Sequence, residues 1–303
     1  MTSQNPIARE LLLLALLSTL WAASYTFIKI GVETIPPLTF IAARTLIAGL
    51  LLLAVIRLRG LRLPRDFATW RLFFVQACIN SVLPFTLIAW AEQSIDAGLA
   101  VILNATTPIF TFLLTALIIR HEQVSGRKLF GTVAGMTGVC LIIGLDALNG
   151  AGEALWSQIA VLTAAFSYAC AAIFSKNFRG LDPAMPAAGS LICGAVLLLP
   201  VSVIVDRPWT LSPSPASLTA LVCLSVFSTA LAFMVYFRLM QTLGSVGTTS
   251  QAYLRVPIGV AIGMVFLGEV PTPAMWVGLV CVIAGVLAMT LPSRRRLSLA
   301  QGG

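Results

Sequence analysis

Ten apolar runs follow one another along this 303-residue chain, and no other feature constrains its fold as strongly. Each run holds 17 to 23 residues, which is about the length that an α-helix needs to cross the hydrocarbon core of a bilayer. The pattern predicts an all-α integral membrane protein with ten transmembrane helices and no separate soluble domain. The runs cover residues 11–30, 38–56, 72–91, 97–119, 129–145, 154–175, 183–205, 217–237, 246–268 and 273–291.

The low content of charged residues supports the same conclusion. Only 10% of the residues are charged and 58% are hydrophobic, whereas a soluble domain carries about 25% charged residues. Such a chain cannot cover a globule with polar side chains, so much of its surface must contact lipid. The lipid bilayer is therefore the first predicted partner. The N-terminal Leu-rich run is interpreted as a spanning helix and not as a signal peptide, because nine more apolar runs follow it.

Positive charges lie almost entirely at one side of the predicted helices. Fifteen of the 19 Lys and Arg residues fall on that side, only Lys29 and Arg207 fall on the other, and Arg44 and Arg255 lie inside runs. Because cytoplasmic loops are enriched in Lys and Arg, both termini are predicted to be cytoplasmic in a bacterial inner membrane. The same rule explains the net charge of +8, so nucleic acid is not an expected partner.

The two halves of the chain resemble each other at an offset of 147 residues. The matching residues are Phe27, Lys29, Glu122, Gly131, Gly138 and Val139 in the first half and Phe174, Lys176, Glu269, Gly278, Gly285 and Val286 in the second. The chain is therefore divided into a five-helix repeat over 1–146, a second over 147–291 and a basic cytoplasmic tail over 292–303. An odd number of helices inverts the second repeat. Inverted repeats are common in transporters that open alternately to each side.

Several short stretches also resemble a known family of membrane proteins. They are 21–29, Pro36-Pro37, 40–44, Thr107-Pro108 and Glu122 in the first half, and Val256-Pro257, 267–269 and 278–286 in the second. Over residues 11–291 the chain is similar to the ten-helix EamA branch of the drug/metabolite transporter superfamily. The resemblance rests on the combination of length, ten spans and repeat placement.

The resemblance implies a secondary transporter, either an exporter or a facilitator, that moves a small metabolite such as an amino acid or a related compound by alternating access. A drug or organic-ion efflux carrier of the same fold is the first alternative. A channel or a membrane scaffold without transport activity is a weaker one. In this family helices 1, 3, 4, 6, 8 and 9 usually line the central path, while helices 5 and 10 are peripheral.

Apart from Lys29 at the end of the first run, Arg44 and Arg255 are the only charged residues inside the predicted helices. A charge there costs about 3 kcal/mol unless it is hydrated or paired, so Arg255 is predicted to face a water-filled path and to bind a negative group. Arg44 lies nearer a helix end, where snorkelling to the interface is the alternative. Pro108 and Pro257 lack a backbone donor and are predicted to break helices 4 and 9. Besides the two arginines, the predicted substrate-binding residues are Trp21, Tyr25, Trp90, Asn104, Tyr168, Gln251 and Tyr253.

The sequence carries no pattern for a cofactor, a metal or an enzymatic reaction. It has no HExxH or CxxC motif, its six cysteines lie in apolar runs, and its single histidine, His121, lies in a loop. All eleven acidic residues lie in loops or near helix ends, so we expect neither an intramembrane enzyme nor coupling through a buried carboxylate. The spaced glycines Gly131, Gly135 and Gly138 predict close helix packing, either within the chain or at a homodimer interface.

Overall fold

The computed structural model describes residues 6–95, 97–118, 125–143, 154–262 and 273–291, and this described part is helical without β-strands. Seven helical stretches are long and apolar enough to cross a membrane, and Trp276–Thr290 is a shorter apolar helix. The chain is an all-α, multi-pass membrane protein, as the apolar runs predict. The helices are α1 (Pro6–Gly31), α2 (Pro37–Leu58), α3 (Phe67–Ala77), π1 (a π-helical segment, Cys78–Val82), α4 (Leu83–Ala91), α5 (Ala97–Asn104), α6 (Thr107–Ile118), α7 (Gly126–Ile143), α8 (Leu155–Phe174), α9 (Ala184–Val205), α10 (Pro215–Ser225), π2 (a second π-helical segment, Val226–Leu231), α11 (Ala232–Thr242), α12 (Gly244–Thr249), α13 (Gln251–Ile262) and α14 (Pro273–Thr290).

These helices group into ten spans that coincide with the ten apolar runs. Spans 1, 2, 5, 6, 7 and 10 are the single helices α1, α2, α7, α8, α9 and α14; span 3 is α3–π1–α4, span 4 is α5–α6, span 8 is α10–π2–α11 and span 9 is α12–α13. Span 3 begins five residues earlier than predicted, because the Asp66 carboxylate accepts a 2.7 Å hydrogen bond from the Thr69 N–H and caps the helix. The predicted ends of spans 4, 5 and 9 lie outside the described residues.

The two π-helical segments occupy equivalent places in the two halves, with first residues 148 positions apart. A π segment departs from regular α-helical bonding and leaves carbonyls open to other donors. The Ile79 carbonyl in π1 accepts a 2.7 Å hydrogen bond from Ser167 Oγ of span 6. The Ser228 carbonyl in π2 accepts a 3.1 Å hydrogen bond from Trp21 Nε1 of span 1. Span 3 thus accepts a hydrogen bond from span 6, and span 8 accepts one from span 1. The two contacts are equivalent if each span of one half corresponds to the span five places later in the other half.

Helices α7 and α14 pack closely through glycines. A Cβ on Gly131 would lie 2.7 Å from the Gly285 carbonyl oxygen, and a Cβ on Gly138 would lie 2.6 Å from the Gly278 carbonyl oxygen. The residue numbers rise along one helix as they fall along the other, so the helices are antiparallel, as an inverted fifth and tenth span must be. We call this contact the glycine seam. Of the two packing alternatives, Gly131 and Gly138 adopt the one within the chain.

Two spans are interrupted within their first halves. In span 4 a turn separates α5 from α6, and in span 9 Ser250 separates α12 from α13. Pro108 lies in the first turn of α6. Backbone N–H groups in the first turn have no acceptor within the helix, so the missing N–H of the proline costs no helical hydrogen bond there. The prediction of a break at Pro257 is wrong, because α13 continues through this residue and the interruption lies at Ser250. A single lost backbone donor is tolerated where neighbouring helices surround the proline.

The packing of the helices leaves a space at the centre of the bundle. Helix α1 packs against α10, α11 and α13, and its counterpart α8 packs against α4, α5 and α6. The pairs α2 with α9 and α7 with α14 make the most extensive contacts. Spans 1, 3, 4, 6, 8 and 9 thus face one another, with interruptions or π segments in four of them.

Candidate functional site

A cavity lies between the central parts of these spans. Its outline contains about 600 Å³ of space without protein atoms, and this figure includes open solvent. Only about 40 Å³ of that space is wide enough for the centre of a water molecule. Residues come from spans 1, 3, 4, 6, 8 and 9, which the family resemblance implies, and from span 2. In this conformation the cavity is narrow and must widen for a metabolite. Its lining is Trp21, Ser24, Tyr25, Ile28, Arg44, Asn80, Phe85, Ile88, Asn104, Thr107, Tyr168, Phe233, Tyr236, Thr249, Gln251 and Arg255.

Arg255 reaches the cavity from α13 and is buried. Its Nε donates to Gln251 Oε1 at 2.9 Å, one turn earlier on the same helix, and its Nη1 donates to the Tyr25 hydroxyl at 3.0 Å. The guanidinium carbon lies 5.3 Å from the centroid of the Trp21 ring, within the range of cation–π attraction. These contacts fix the guanidinium. Its Nη2 has no hydrogen bond to any residue that the structure describes, so it is available to a ligand.

Arg44 reaches the same cavity from α2 and is 2% exposed. Its Nε donates to Thr229 Oγ1 at 2.7 Å, in π2 of span 8. That hydroxyl in turn donates to the Leu224 carbonyl at 2.8 Å, so its oxygen is oriented to accept from Arg44. The guanidinium carbon lies 3.7 Å above the centroid of the Phe85 ring. Arg44 is therefore held inside the bundle, and the snorkelling alternative is wrong.

Neither guanidinium forms an ion pair within the described part of the chain. Ion pairs there join Arg59 to Asp182 and Arg238 to Glu10, at the ends of helices, and the cavity lining contains no Asp or Glu. Two positive charges therefore share one enclosed space. Buried charges are stable only when they are paired or hydrated, so the cavity is complementary to a negative group.

Tyr25, Asn104 and Thr107 form a hydrogen-bonded network at the interruption of span 4. Thr107 Oγ1 donates to the carbonyl and to the side-chain oxygen of Asn104, both at 2.8 Å. Asn104 Nδ2 in turn donates to the Tyr25 hydroxyl, which also accepts from Arg255. The Tyr25 oxygen accepts both hydrogen bonds, and its own proton is donated to none of the residues that the structure describes. The network joins spans 1, 4 and 9 at one point.

Aromatic rings also line the cavity, and two of them, Trp21 and Phe85, lie against the guanidinium groups of Arg255 and Arg44. Trp21 lies 5.5 Å from Tyr236 between ring centroids, Phe85 lies 6.0 Å from Phe233, and Phe85 lies 6.4 Å from Tyr168. Such edge and tilted contacts stabilise a rigid apolar surface. The site therefore combines guanidinium groups and aromatic rings in one space, which suits a ligand that has both a charged group and an apolar part.

Two of the predicted substrate-binding residues lie outside this cavity. Trp90 is 45% exposed near the end of α4, where an aromatic side chain is typical of the membrane interface. Tyr253 points to the other side of α13, where its ring covers Gly135 and its hydroxyl donates to the Thr132 carbonyl at 3.1 Å. It is two residues from Gln251 and from Arg255, and a helix turns such a residue about 200° away from them.

Several lining residues were not among the predicted ones. Phe85 and Phe233 lie in apolar runs without any local signal that separates them from lipid-facing residues. Ser24 and Thr249 are small hydroxyl residues of a kind that also satisfies helix backbones. Asn80, in contrast, is expected from the sequence, because an amide inside an apolar run is costly without a partner, and it lines the cavity.

Comparison with known proteins gives one consistent result. The model of the EamA-like transporter family matches residues 8–144 and again residues 155–291. The uncharacterized inner membrane transporter YedA of Escherichia coli K12 is 27% identical over 274 residues, which cover 90% of this chain and 87% of YedA. The uncharacterized transporter YoaV of Bacillus subtilis is 25% identical, covering 91% of this chain and 95% of YoaV.

A relative with a more specific name is also similar along its length. The probable terminal-alkyne amino-acid exporter of Streptantibioticus cattleyicolor is 25% identical, with coverage of 92% of this chain and 93% of that protein. A solved crystal structure superposes with a TM-score of 0.73 at 17% identity, covering 93% of this chain and 95% of the other. The similarity to the crystal structure extends to the fold alone.

Proposed function

Because the chain belongs to the EamA-like transporter family, we propose that it is a secondary carrier of a small metabolite with a carboxylate, such as an amino acid or a related compound. It works by alternating access in a bacterial inner membrane, as an exporter or a facilitator. The cavity between spans 1, 2, 3, 4, 6, 8 and 9 is its substrate site.

One observation supports this proposal above the others: two buried guanidinium groups face an enclosed cavity that has no acidic lining residue. Arg255 has a terminal nitrogen available, and a guanidinium binds a carboxylate through two parallel hydrogen bonds. Tyr25 offers a hydroxyl proton beside it. A carboxylate bound there neutralises the charge that is costly in an empty site.

The aromatic rings that line the cavity are available to contact the apolar part of the substrate. Trp21, Phe85 and Tyr236 present apolar ring surface beside the arginines. The name of the Streptantibioticus relative, a probable amino-acid exporter, agrees with this substrate class. Efflux of cationic drugs is disfavoured, since two positive charges would repel such a substrate.

Alternating access is supported by the matched irregular elements of the two repeats. The two π segments lie at the same place in spans 3 and 8, and spans 4 and 9 are both interrupted beside the cavity. In inverted-repeat transporters, interrupted helices surround the substrate near the membrane midplane. Matched irregularities give each side of the membrane an equivalent place for the bundle to bend.

Metabolite profiling identifies the substrate and tests the proposal. Cells that lack the protein are compared with cells that overproduce it and with cells that overproduce Arg255→Gln. We expect a carboxylate-bearing metabolite to change in opposite directions in the first two strains, and the Arg255→Gln strain to resemble the deletion. A metabolite that changes equally with the wild-type protein and with Arg255→Gln would contradict the assignment of the cavity as the site.

Two tyrosine variants test which residues belong to the site. Tyr25→Phe removes the hydroxyl that Arg255 and Asn104 bind, so we expect transport to fall by about tenfold. Tyr253→Phe removes only the hydrogen bond to the Thr132 carbonyl, which costs about 1 kcal/mol of folding stability and leaves transport unchanged. Initial rates in proteoliposomes measure both. An equal loss of transport in the two variants would contradict the placement of Tyr253 outside the site.

The orientation is tested with topology reporters. A reporter fused after Arg296 should be active only as a cytoplasmic reporter, because the basic loops are expected on that side. A reporter fused after Pro213, in the loop between α9 and α10, is the matched control and should be active only in the periplasm. Periplasmic activity after Arg296 would reverse the proposed orientation.

A further inference from the structure

Glu92 carries a buried carboxyl group that is not part of the cavity lining. It directly follows α4, which ends at Ala91, and lies one helical turn beyond the cavity residue Ile88. Its exposed fraction is 0%. Neither oxygen of its carboxyl group has a hydrogen-bond partner among the residues that the structure describes. Glu92 thus lies at a helix end, as the sequence indicates, and is nevertheless fully buried.

The nearest cation does not pair with the carboxyl group. Lys29 Nζ donates to the backbone carbonyl of Glu92 at 2.7 Å and to that of Ile95 at 3.1 Å. The charged and titratable groups that face the Glu92 carboxyl are Lys29 and Tyr25 from α1 and Arg44 from α2. Lys29 thus fixes the chain at the end of span 3 and leaves the two carboxyl oxygens unbonded.

A carboxyl group in this setting favours its neutral form. An ionised carboxylate without hydrogen bonds is costly to bury, while the protonated acid is much less so. Burial outweighs the opposing charges of Lys29 and Arg44 and raises the pKa of Glu92 to about 9. In water the pKa of a Glu carboxyl is about 4.3, so exposure of Glu92 to water at neutral pH would release its proton.

We propose that Glu92 is a proton-binding site that links proton release to opening of the cavity at the end where span 3 terminates. This inference rests on the proposed alternating access. In the closed form Glu92 is a neutral acid. When that end opens, water reaches the carboxyl, the O–H bond breaks and the proton passes to water; closure takes a proton back. No other bond changes.

The direction of the pH effect follows from the sign of the linkage. The closed form binds the proton more tightly than the open form, so low pH favours closure and high pH favours opening. The ratio of open to closed forms rises by up to about tenfold per pH unit while Glu92 is ionised in one form and protonated in the other. A Gln at this position is neutral at every pH and removes the dependence.

Infrared spectroscopy of the purified full-length protein in lipid nanodiscs tests the protonation directly. At neutral pH we expect a neutral-carboxyl C=O band in the wild-type protein that is absent from Glu92→Gln and shifted in Glu92→Asp. Glu33→Gln, which removes an exposed carboxyl at the same end of the bundle, is the matched control and should keep the band. Identical spectra of wild-type protein and Glu92→Gln in the carboxyl region would overturn the proposal.

Cysteine labelling tests the link to opening. In a variant without the six native cysteines, Ser24→Cys reports the cavity and Glu33→Cys reports the surface, and a membrane-impermeant maleimide is applied to each. We expect the ratio of cavity to surface labelling to rise with pH when Glu92 is present and to be flat with Glu92→Gln. A flat ratio in both would overturn the proposal. Neither the infrared band nor the labelling ratio requires a transported substrate. The proposed function fails on a different result, namely normal transport by Arg255→Gln.

Discussion

Transport falls by about 100-fold in Arg255→Gln and by about tenfold in Arg255→Lys, if Arg255 binds the substrate carboxylate. Each hydrogen bond to a charged group contributes about 1.5–3 kcal/mol, and Lys keeps the charge while losing the planar pair of donors. Initial rates of uptake into proteoliposomes measure the effect. Arg62→Gln, which removes an exposed arginine outside the spans, is the matched control and should transport normally.

A purely structural role for Arg255 gives a different result. In that case the hydrogen bonds to Gln251 and Tyr25 hold span 9 against span 1, and both variants would lose thermal stability together with transport. We expect the melting temperature of detergent-solubilised Arg255→Gln to stay close to that of the wild-type protein, because removal of a buried charge offsets the lost hydrogen bonds. A large fall in melting temperature in both variants would contradict the assignment of Arg255 to substrate binding.

Gly138→Ala destabilises the folded protein by about 3 kcal/mol, the upper part of the range for overpacking. The added Cβ would lie 2.6 Å from the Gly278 carbonyl oxygen and 2.7 Å from the Val282 backbone nitrogen. Both neighbours are backbone atoms, so the two helices of the glycine seam must separate along their length. Thermal unfolding followed by size-exclusion chromatography measures the loss.

Gly194→Ala is the matched control for the glycine seam. Gly194 is also a buried helical glycine, in α9, but its added Cβ would have its nearest neighbour at 3.6 Å, an ordinary contact. We expect this variant to be unchanged or stabilised by up to about 1 kcal/mol, because alanine is a better helix former than glycine. Equal stability of the two variants would show that α7 and α14 are not in close contact.

The fold was largely predictable because the membrane makes the sequence regular. Each span requires a run of apolar residues, so the ten spans and their approximate bounds are visible in the sequence. The positions where the chain departs from a regular helix are harder to predict. Pro257 carries the usual signal of a break and yet lies within α13, whereas π1 has no residue pattern that distinguishes it from an α-helix.

In the candidate site, the polar residues could be predicted from the sequence because their burial is costly, whereas the apolar residues could not because their burial is favourable. Arg255 and Asn104 stand out because polar groups inside a span need partners, and both line the cavity. Phe85 lines the same cavity, but an apolar ring is equally stable against lipid, so its sequence position carries no signal. Glu92 shows the remaining difficulty: it lies at the end of a span and is fully buried, and its place in the sequence does not indicate that burial.

Counterflow in proteoliposomes tests the central claim, that the cavity carries one carboxylate-bearing metabolite at a time from one side to the other. Vesicles with purified protein are loaded with the unlabelled metabolite that profiling identifies, and the labelled metabolite is added outside. We expect the label to accumulate transiently above its equilibrium level, and this overshoot to disappear in Arg255→Gln. Simple equilibration without an overshoot in the wild-type protein would contradict alternating access and indicate a pore.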